Sequence, residues 1–176
     1  MKNENNTQGY IHLYTGNGKG KTSAAIGLAI RAVGAGKRVF IGQFVKGMHY
    51  SELESLKRFD EIVIKQYGLD CFIKHEPTNK DIQAATDGLN EVTSIIISNE
   101  YDVVILDEVC IALYYKLFPI SSIVSLIKEK PKSMEIILTG RYAPAEIIEI
   151  ADLVTEMKEI KHYYNRGVEA RKGFEF

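Results

Sequence analysis

The sequence has little from which to build a cross-linked or metal-knotted scaffold. Cysteine occurs only at Cys71 and Cys110, far apart and outside any CxxC pair, so one chain can make neither a disulfide framework nor a zinc knuckle. The four histidines, His12, His49, His75 and His162, show no ligand spacing of the HExxH kind, and no transition-metal site made by this chain is predicted. No apolar run reaches the length of a membrane span, and Met1 to Gln8 is polar, without the greasy segment of a signal peptide. The expected compartment is the cytoplasm, with no membrane partner. Charge of one sign is lacking too: 22 Lys and Arg against 23 Asp and Glu leave a formal net charge of -1. No global cationic field is available to hold nucleic acid, so any anion must be bound locally.

What is present is a chain of 176 residues, 45% of them hydrophobic, a size that folds around one core. Residues 1–8, rich in Asn, Glu and Lys, read as a disordered segment, and residues 9–176 as a single domain without repeats. Short apolar runs at Ile11 to Tyr14, Val39 to Phe44, Ile62 to Gln66, Val103 to Leu106 and Ile136 to Leu138 predict strands. Between them lie helical patterns. In Asp81 to Ser98, Ile82, Ala85, Leu89, Val92 and Ile96 recur every three or four residues as one buried stripe. Ser51 with Glu54 predicts a capping box for a helix to about Phe59. Thr22 to Val33 reads as a helix closed by Gly34-Ala35-Gly36, and Pro144 suits the first turn of another reaching about Ala151. Strands alternating with helices predict an α/β fold, a mostly parallel sheet with helices on both faces and ligands at the carboxyl ends of the strands.

Thr15-Gly16-Asn17-Gly18-Lys19-Gly20-Lys21-Thr22 follows the first strand and precedes a helix, the context that a Walker A phosphate loop requires. Its glycines let backbone N–H groups turn inward onto phosphate oxygens, and the helix start adds a favourable dipole. Lys21 is read as an exposed loop lysine bringing a point charge to the phosphates, and the Thr22 hydroxyl can ligate Mg²⁺. Thr15 stands where glycine is usual. Val103-Val104-Ile105-Leu106-Asp107-Glu108 has the form of a Walker B strand that delivers carboxylates beside the phosphates and Mg²⁺. Because neighbouring strand residues point to opposite sides, one of Asp107 and Glu108 is expected to serve the metal and the other to face elsewhere. The loop binds ATP or GTP without choosing the base.

Gln43 and Lys46 follow one strand and Arg141 follows Thr139-Gly140 at the end of another, so each can project toward the ligand edge. Arg141 can hold a triphosphate through paired hydrogen bonds. Lys161-His162-Tyr163-Tyr164-Asn165-Arg166-Gly167 can cover a ligand, or form a surface turn with its aromatics tucked into the core.

Taken together these residues resemble the ATP:corrinoid adenosyltransferase family over about Gly9 to Phe176. The motifs that carry the resemblance are the eight residues from Thr15, Gln-Phe-Val-Lys-Gly from Gln43, Leu-Asp-Glu from Leu106, Thr-Gly-Arg from Thr139, and the ending from Lys161-His162 to Gly173. The resemblance implies a P-loop NTPase (RecA-like) fold and attack of a corrinoid's Co(I) on the 5′ carbon of ATP, with the whole triphosphate leaving. It implies Mg²⁺, a flavoprotein or other reductant, and a homodimer. Lys21, Glu108 and Arg141 would be catalytic; Thr22, Asp107 and Glu108 would hold the metal; Phe72 and His162 would meet the corrinoid. Phe72 would shield its lower face so that cobalt loses an axial ligand. Some relatives present a Phe-x-Trp pair there, whereas this chain has no tryptophan. The rival readings are a small nucleoside kinase, one family of which needs a four-cysteine zinc lasso that two cysteines cannot make, and a RecA-like ATPase switch.

Overall fold

The computed structural model of the protein describes residues 8–69, 73 and 76–176. Six strands form one sheet: β1 (Ile11–Thr15), β2 (Val39–Phe44), β3 (Ile62–Tyr67), β4 (Val103–Asp107), β5 (Glu135–Thr139) and β6 (Leu153–Glu156). Their order is β3-β2-β4-β5-β1-β6, and every pairing is parallel. The helices are α1 (Lys21–Val33), α2 (Ser51–Leu56), α3 (Asn79–Ser98), α4 (Val109–Tyr114), α5 (Ile120–Glu129) and α6 (Ala145–Ile150), followed by a 3-10 turn at Tyr163–Arg166. This is the α/β parallel sheet that the strand and helix patterns predict, in the P-loop NTPase-like form that the resemblance implies.

Period-two alternation divides the sheet into two apolar faces. Leu13, Phe40, Phe44, Val104, Leu106, Ile136 and Leu138 join a cluster with Ala85, Leu89 and Val92 of α3 and with residues of α4, α5 and α6. Val39, Ile41, Ile62, Val103, Ile105 and Ile137 join the opposite cluster with Ala25 and Ala29 of α1 and Leu56 of α2. Both faces are covered, which is why the central strands read as continuous apolar runs. Each fully buried Val, Leu, Ile or Phe contributes about 1.5–3 kcal/mol relative to exposure.

The five expected strands appear within a residue of their predicted bounds. Three local readings differ. No side-chain cap forms at α2: Tyr50 holds the cap position, Ser51 Oγ donates to the Phe176 carbonyl at 3.0 Å, and Glu54 pairs with Lys57 instead. On α3 the stripe runs through Ala85, Gly88, Leu89, Val92 and Ile96, while Ile82 is 39% exposed. The helix starts earlier than expected because Thr78 and Asp81 form a reciprocal capping box. Strand β6 and helices α4 and α5 are additional elements.

Candidate active site

The phosphate loop joins β1 to α1 at the carboxyl edge of the sheet. Thr15 needs no glycine's freedom because it is still strand: it pairs with Glu156, and its carbonyl accepts from Met157 N at 2.8 Å. The turn falls on Gly16, at φ 94, where a Cβ would lie 2.5 Å from the Met157 carbonyl oxygen. Gly18 N donates to that same oxygen at 2.6 Å, so residues just past β6 brace the loop. Gly20, at φ 121, ends it, and α1 begins at Lys21. Lys21 is buried, 7% exposed, contrary to the reading of an exposed lysine; its Nζ donates to the Gly16 carbonyl at 2.7 Å and the Gly18 carbonyl at 2.8 Å. The loop folds around its own ammonium, because one compact cation can satisfy two converging carbonyls. Burial pushes the Lys21 pKa down, partly offset by the charges of Glu108 and Asp107.

Asp107, 1% exposed at the end of β4, is the centre of the polar network. Its Oδ1 accepts from Thr22 Oγ1 at 2.8 Å and Thr139 Oγ1 at 2.7 Å; its Oδ2 accepts from Lys46 Nζ at 2.7 Å and Gln43 Nε2 at 3.2 Å. Burial disfavours the carboxylate, but the Lys46 charge and the hydrogen bonds from Lys46, Thr139 and Thr22 outweigh it and lower the pKa. Lys46, 8% exposed, also lies 3.7 Å from Glu52 and sits 4.9 Å from the centre of the Tyr50 ring. Burial works against its charge as well, and Asp107 overrides that, so the pair stays ionised. Gln43 bridges onward to Glu52 at 3.3 Å and accepts from Gln66 at 3.2 Å.

Glu108 does not follow strand alternation. The strand stops at Asp107, and Glu108 takes a left-handed turn at φ 58 while its N–H donates to Thr139 Oγ1 at 2.9 Å. This turn keeps its carboxylate within electrostatic reach of Lys21, Lys46 and Arg141. Burial, reinforced by the charge of Asp107, raises its pKa. Among the described residues it makes no side-chain hydrogen bond or ion pair, which leaves it the open carboxylate of the site. Arg141 is exposed, between Gly140 at φ 140 and Tyr142 at φ 58, whose ring stacks 4.4 Å from that of Tyr114. A cleft of about 410 Å³ opens on the flank of the loop between Thr15, Asn17, Tyr142, Ile148 and Glu156.

The C-terminal segment lies beside the loop, with its aromatics outside the core. Lys19 Nζ donates to Tyr163 Oη at 2.9 Å and to Glu175 Oε1 at 2.6 Å, and Glu175 also binds Tyr163 and Arg171. These donors hold the Glu175 carboxyl far below its usual range. Tyr164 is exposed, and His162 caps the 3-10 turn, its Nδ1 accepting from Tyr164 N at 3.1 Å. Phe72 and Cys71 lie outside the described residues. The structure thus gathers Lys21, Thr22, Asp107 and Glu108 at one point, with Lys19 tied to the tail and Arg141 exposed at the rim. Sequence reasoning missed Glu52, in the first turn of α2, and read Thr139 only as the start of Thr-Gly-Arg and Lys46 only as a residue able to face the ligand edge or solvent, not as partners of Asp107.

Comparison with known proteins agrees with this architecture. The family model for ATP:corrinoid adenosyltransferase BtuR/CobO/CobP matches residues 7–176. A corrinoid adenosyltransferase of Escherichia coli strain K12 is 32% identical over 96% of this chain and 86% of its own length. One from Pseudomonas aeruginosa is 33% identical over 96% of this chain and 84% of its own, and one from Sinorhizobium is 34% identical over 100% and 84%. With a family match over residues 7–176 and relatives more than 30% identical over nearly its whole length, this chain belongs to the ATP:corrinoid adenosyltransferase family.

Proposed function

We propose that this chain transfers the 5′-deoxyadenosyl group of ATP to the Co(I) of a reduced corrinoid and releases inorganic triphosphate. The corrinoid's cobalt is the nucleophile. A cobalt–carbon bond forms at C5′, and the C5′–O bond breaks with its electron pair leaving on the triphosphate. The observation that carries this reading is a closed phosphate loop, with Lys21 buried at its centre, in a chain of this family. Substitution at a saturated carbon offers a protein little covalent work; it needs in-line placement and a stabilised leaving group.

In this reading residues Thr15, Gly16, Asn17, Gly18, Lys19, Gly20, Lys21 and Thr22 cradle the triphosphate. Lys21 meets the charge that accumulates on it, and Arg141 closes over it from the rim. The Thr22 hydroxyl and the open Glu108 carboxylate are hard oxygen donors that fit Mg²⁺, with Asp107 behind Thr22. Bound there, Mg²⁺ supplies charge neutralisation to the departing triphosphate. His162 and Phe72 would meet the corrinoid. A flavoprotein or similar electron donor would supply Co(I), and a homodimer in the cytoplasm is the expected assembly. The exposed edge strand β6, with Leu153 and Val154, gives a second copy a place to pair. Among the described residues no helix is long and apolar enough to cross a membrane.

The test is a product assay with ATP, Mg²⁺ and chemically reduced corrinoid. Free triphosphate and a cobalt–carbon absorption spectrum are expected. ADP formed with a nucleoside acceptor would make the chain a kinase, and ADP with phosphate and no acceptor an ATPase switch.

A further inference from the structure

Asp107 is unusual in how completely the protein itself occupies it. A carboxylate offers about four lone-pair positions, and four donors fill them: Thr22, Thr139, Gln43 and Lys46. One donor is a full cation at 2.7 Å. The local backbone is shaped to put it there. Val45, a β-branched residue, takes φ 59 immediately before Lys46, a conformation rarely found outside glycine and asparagine. The following turn closes against Gly68 and Leu69: a Cβ on Gly68 would lie 2.5 Å from Lys46 N, and one on Gly47 would lie 2.3 Å from the Leu69 carbonyl oxygen. A disfavoured backbone and two fitted glycines serve to bury one ammonium against one carboxylate.

We propose that Lys46 is a resident cation that takes the metal's place on Asp107, so that the divalent ion accompanying the nucleotide is ligated by Thr22 and Glu108 and not by Asp107. Asp107 is then a positioning residue. By accepting the Thr22 hydroxyl proton at 2.8 Å it leaves that oxygen's lone pairs to accept; Lys46 Nζ approaches one of them only at 3.5 Å, and the other is left for the ion. Lys46 fixes Asp107 in that role and repels a second cation from it. The inference rests on the nucleotide-and-metal reading of the loop given above and deepens it.

Mn²⁺ is the probe, its free concentration read by electron paramagnetic resonance with and without ATP on the full chain. Lys46→Met opens Oδ2 of Asp107, and Mn²⁺ without nucleotide should then bind about tenfold tighter than to wild type. The double variant Lys46→Met with Asp107→Asn removes both charges at once. It should hold Mn²⁺ with ATP within about threefold of wild type, because neither replaced group touches the ion and the amide oxygen introduced by Asp107→Asn still accepts the Thr22 hydroxyl proton; neutral replacement of a buried pair also spares the fold. Should the single variant fail to fold around an unpaired carboxylate, the double variant decides alone. A folded Lys46→Met that binds Mn²⁺ no tighter, or a double variant that loses about tenfold, overturns the proposal. A wild type that binds no Mn²⁺ with ATP overturns the metal reading of the loop itself, and this inference with it.

Discussion

Lys21→Met separates what the loop lysine does for the fold from what it does for the triphosphate. The substitution removes two charge-assisted hydrogen bonds, to the Gly16 and Gly18 carbonyls, each contributing about 1.5–3 kcal/mol. It also removes a buried charge that the folded state disfavours. The Lys21 pKa is lowered by burial; at neutral pH, where the unfolded lysine is fully protonated, that shift opposes folding and is relieved when the charge goes. The two effects oppose each other, so Tm should fall by less than the loss of two such hydrogen bonds alone would bring. The chemical effect has no such offset. Removing one fixed charge from a developing anion costs about 10²–10³ in rate. Single-turnover assays with Co(I) prepared beforehand and triphosphate release as the readout should show the loss mainly in kcat, since the charge grows as the C5′–O bond breaks. A rate within about threefold of wild type, with Tm unchanged, would refute the placement of Lys21 on the phosphates. Lys21→Arg should not restore activity, because a planar guanidinium does not fit a point-cation cradle.

The raised pKa of Glu108 has a signed consequence. Metal binding needs the carboxylate, so Mg²⁺ affinity in the presence of ATP should fall as pH drops, with a midpoint above the ordinary 4.5, and Glu108→Gln should abolish this limb; an identical pH profile in the variant refutes the assignment. Gly140→Ala would place a Cβ 2.7 Å from the Cβ of Cys110 at φ 140, and should cost roughly 1–3 kcal/mol of stability by calorimetry; an unchanged Tm means the β5–α4 contact yields. Phe72→Ala should slow turnover when a weak reductant must make Co(I) on the enzyme and regain most of the rate with preformed Co(I), whereas equal loss in both assays would make Phe72 a packing residue.

The sheet was largely legible because β2, β4 and β5 are buried on both faces and announce themselves as apolar runs. β6 was not: its four residues are all exposed at an edge, and only pairing with β1 makes them a strand. Helix α5 carries its signal in Ile120, Ile123, Val124 and Ile127 after Pro119. At the site, the loop and the Asp107-Glu108 pair could be read from residue type and order. What those residues do to one another could not. Glu108 joins Lys21 because a left-handed residue breaks strand alternation, and Lys46 reaches Asp107 because Val45 does the same. Such turns on non-glycine residues have no local sequence signature. They exist only because the surrounding packing holds them. The tail's contact with Lys19 depends on Tyr163 and Glu175, more than a hundred residues away from the loop, and pairwise contacts of that separation leave no pattern in one sequence.

The strand order sets when, during synthesis, the phosphate loop can take shape. β3, β2 and β4 are neighbours in the sheet and complete by Asp107. β1 leaves the ribosome first, yet its partners come last: Ile11 pairs with Ile136, and His12 with Leu153. Contacts so distant in sequence form late and slowly. A nascent chain can therefore assemble half the sheet and bury much of its core while the nucleotide loop still hangs from an unpaired strand. The brace at Met157, which holds Gly18, is translated later still. ATP would find no formed cradle on a growing chain, and an early stop in translation after β4 would yield a partly folded product with an exposed strand edge, the kind of species that aggregates.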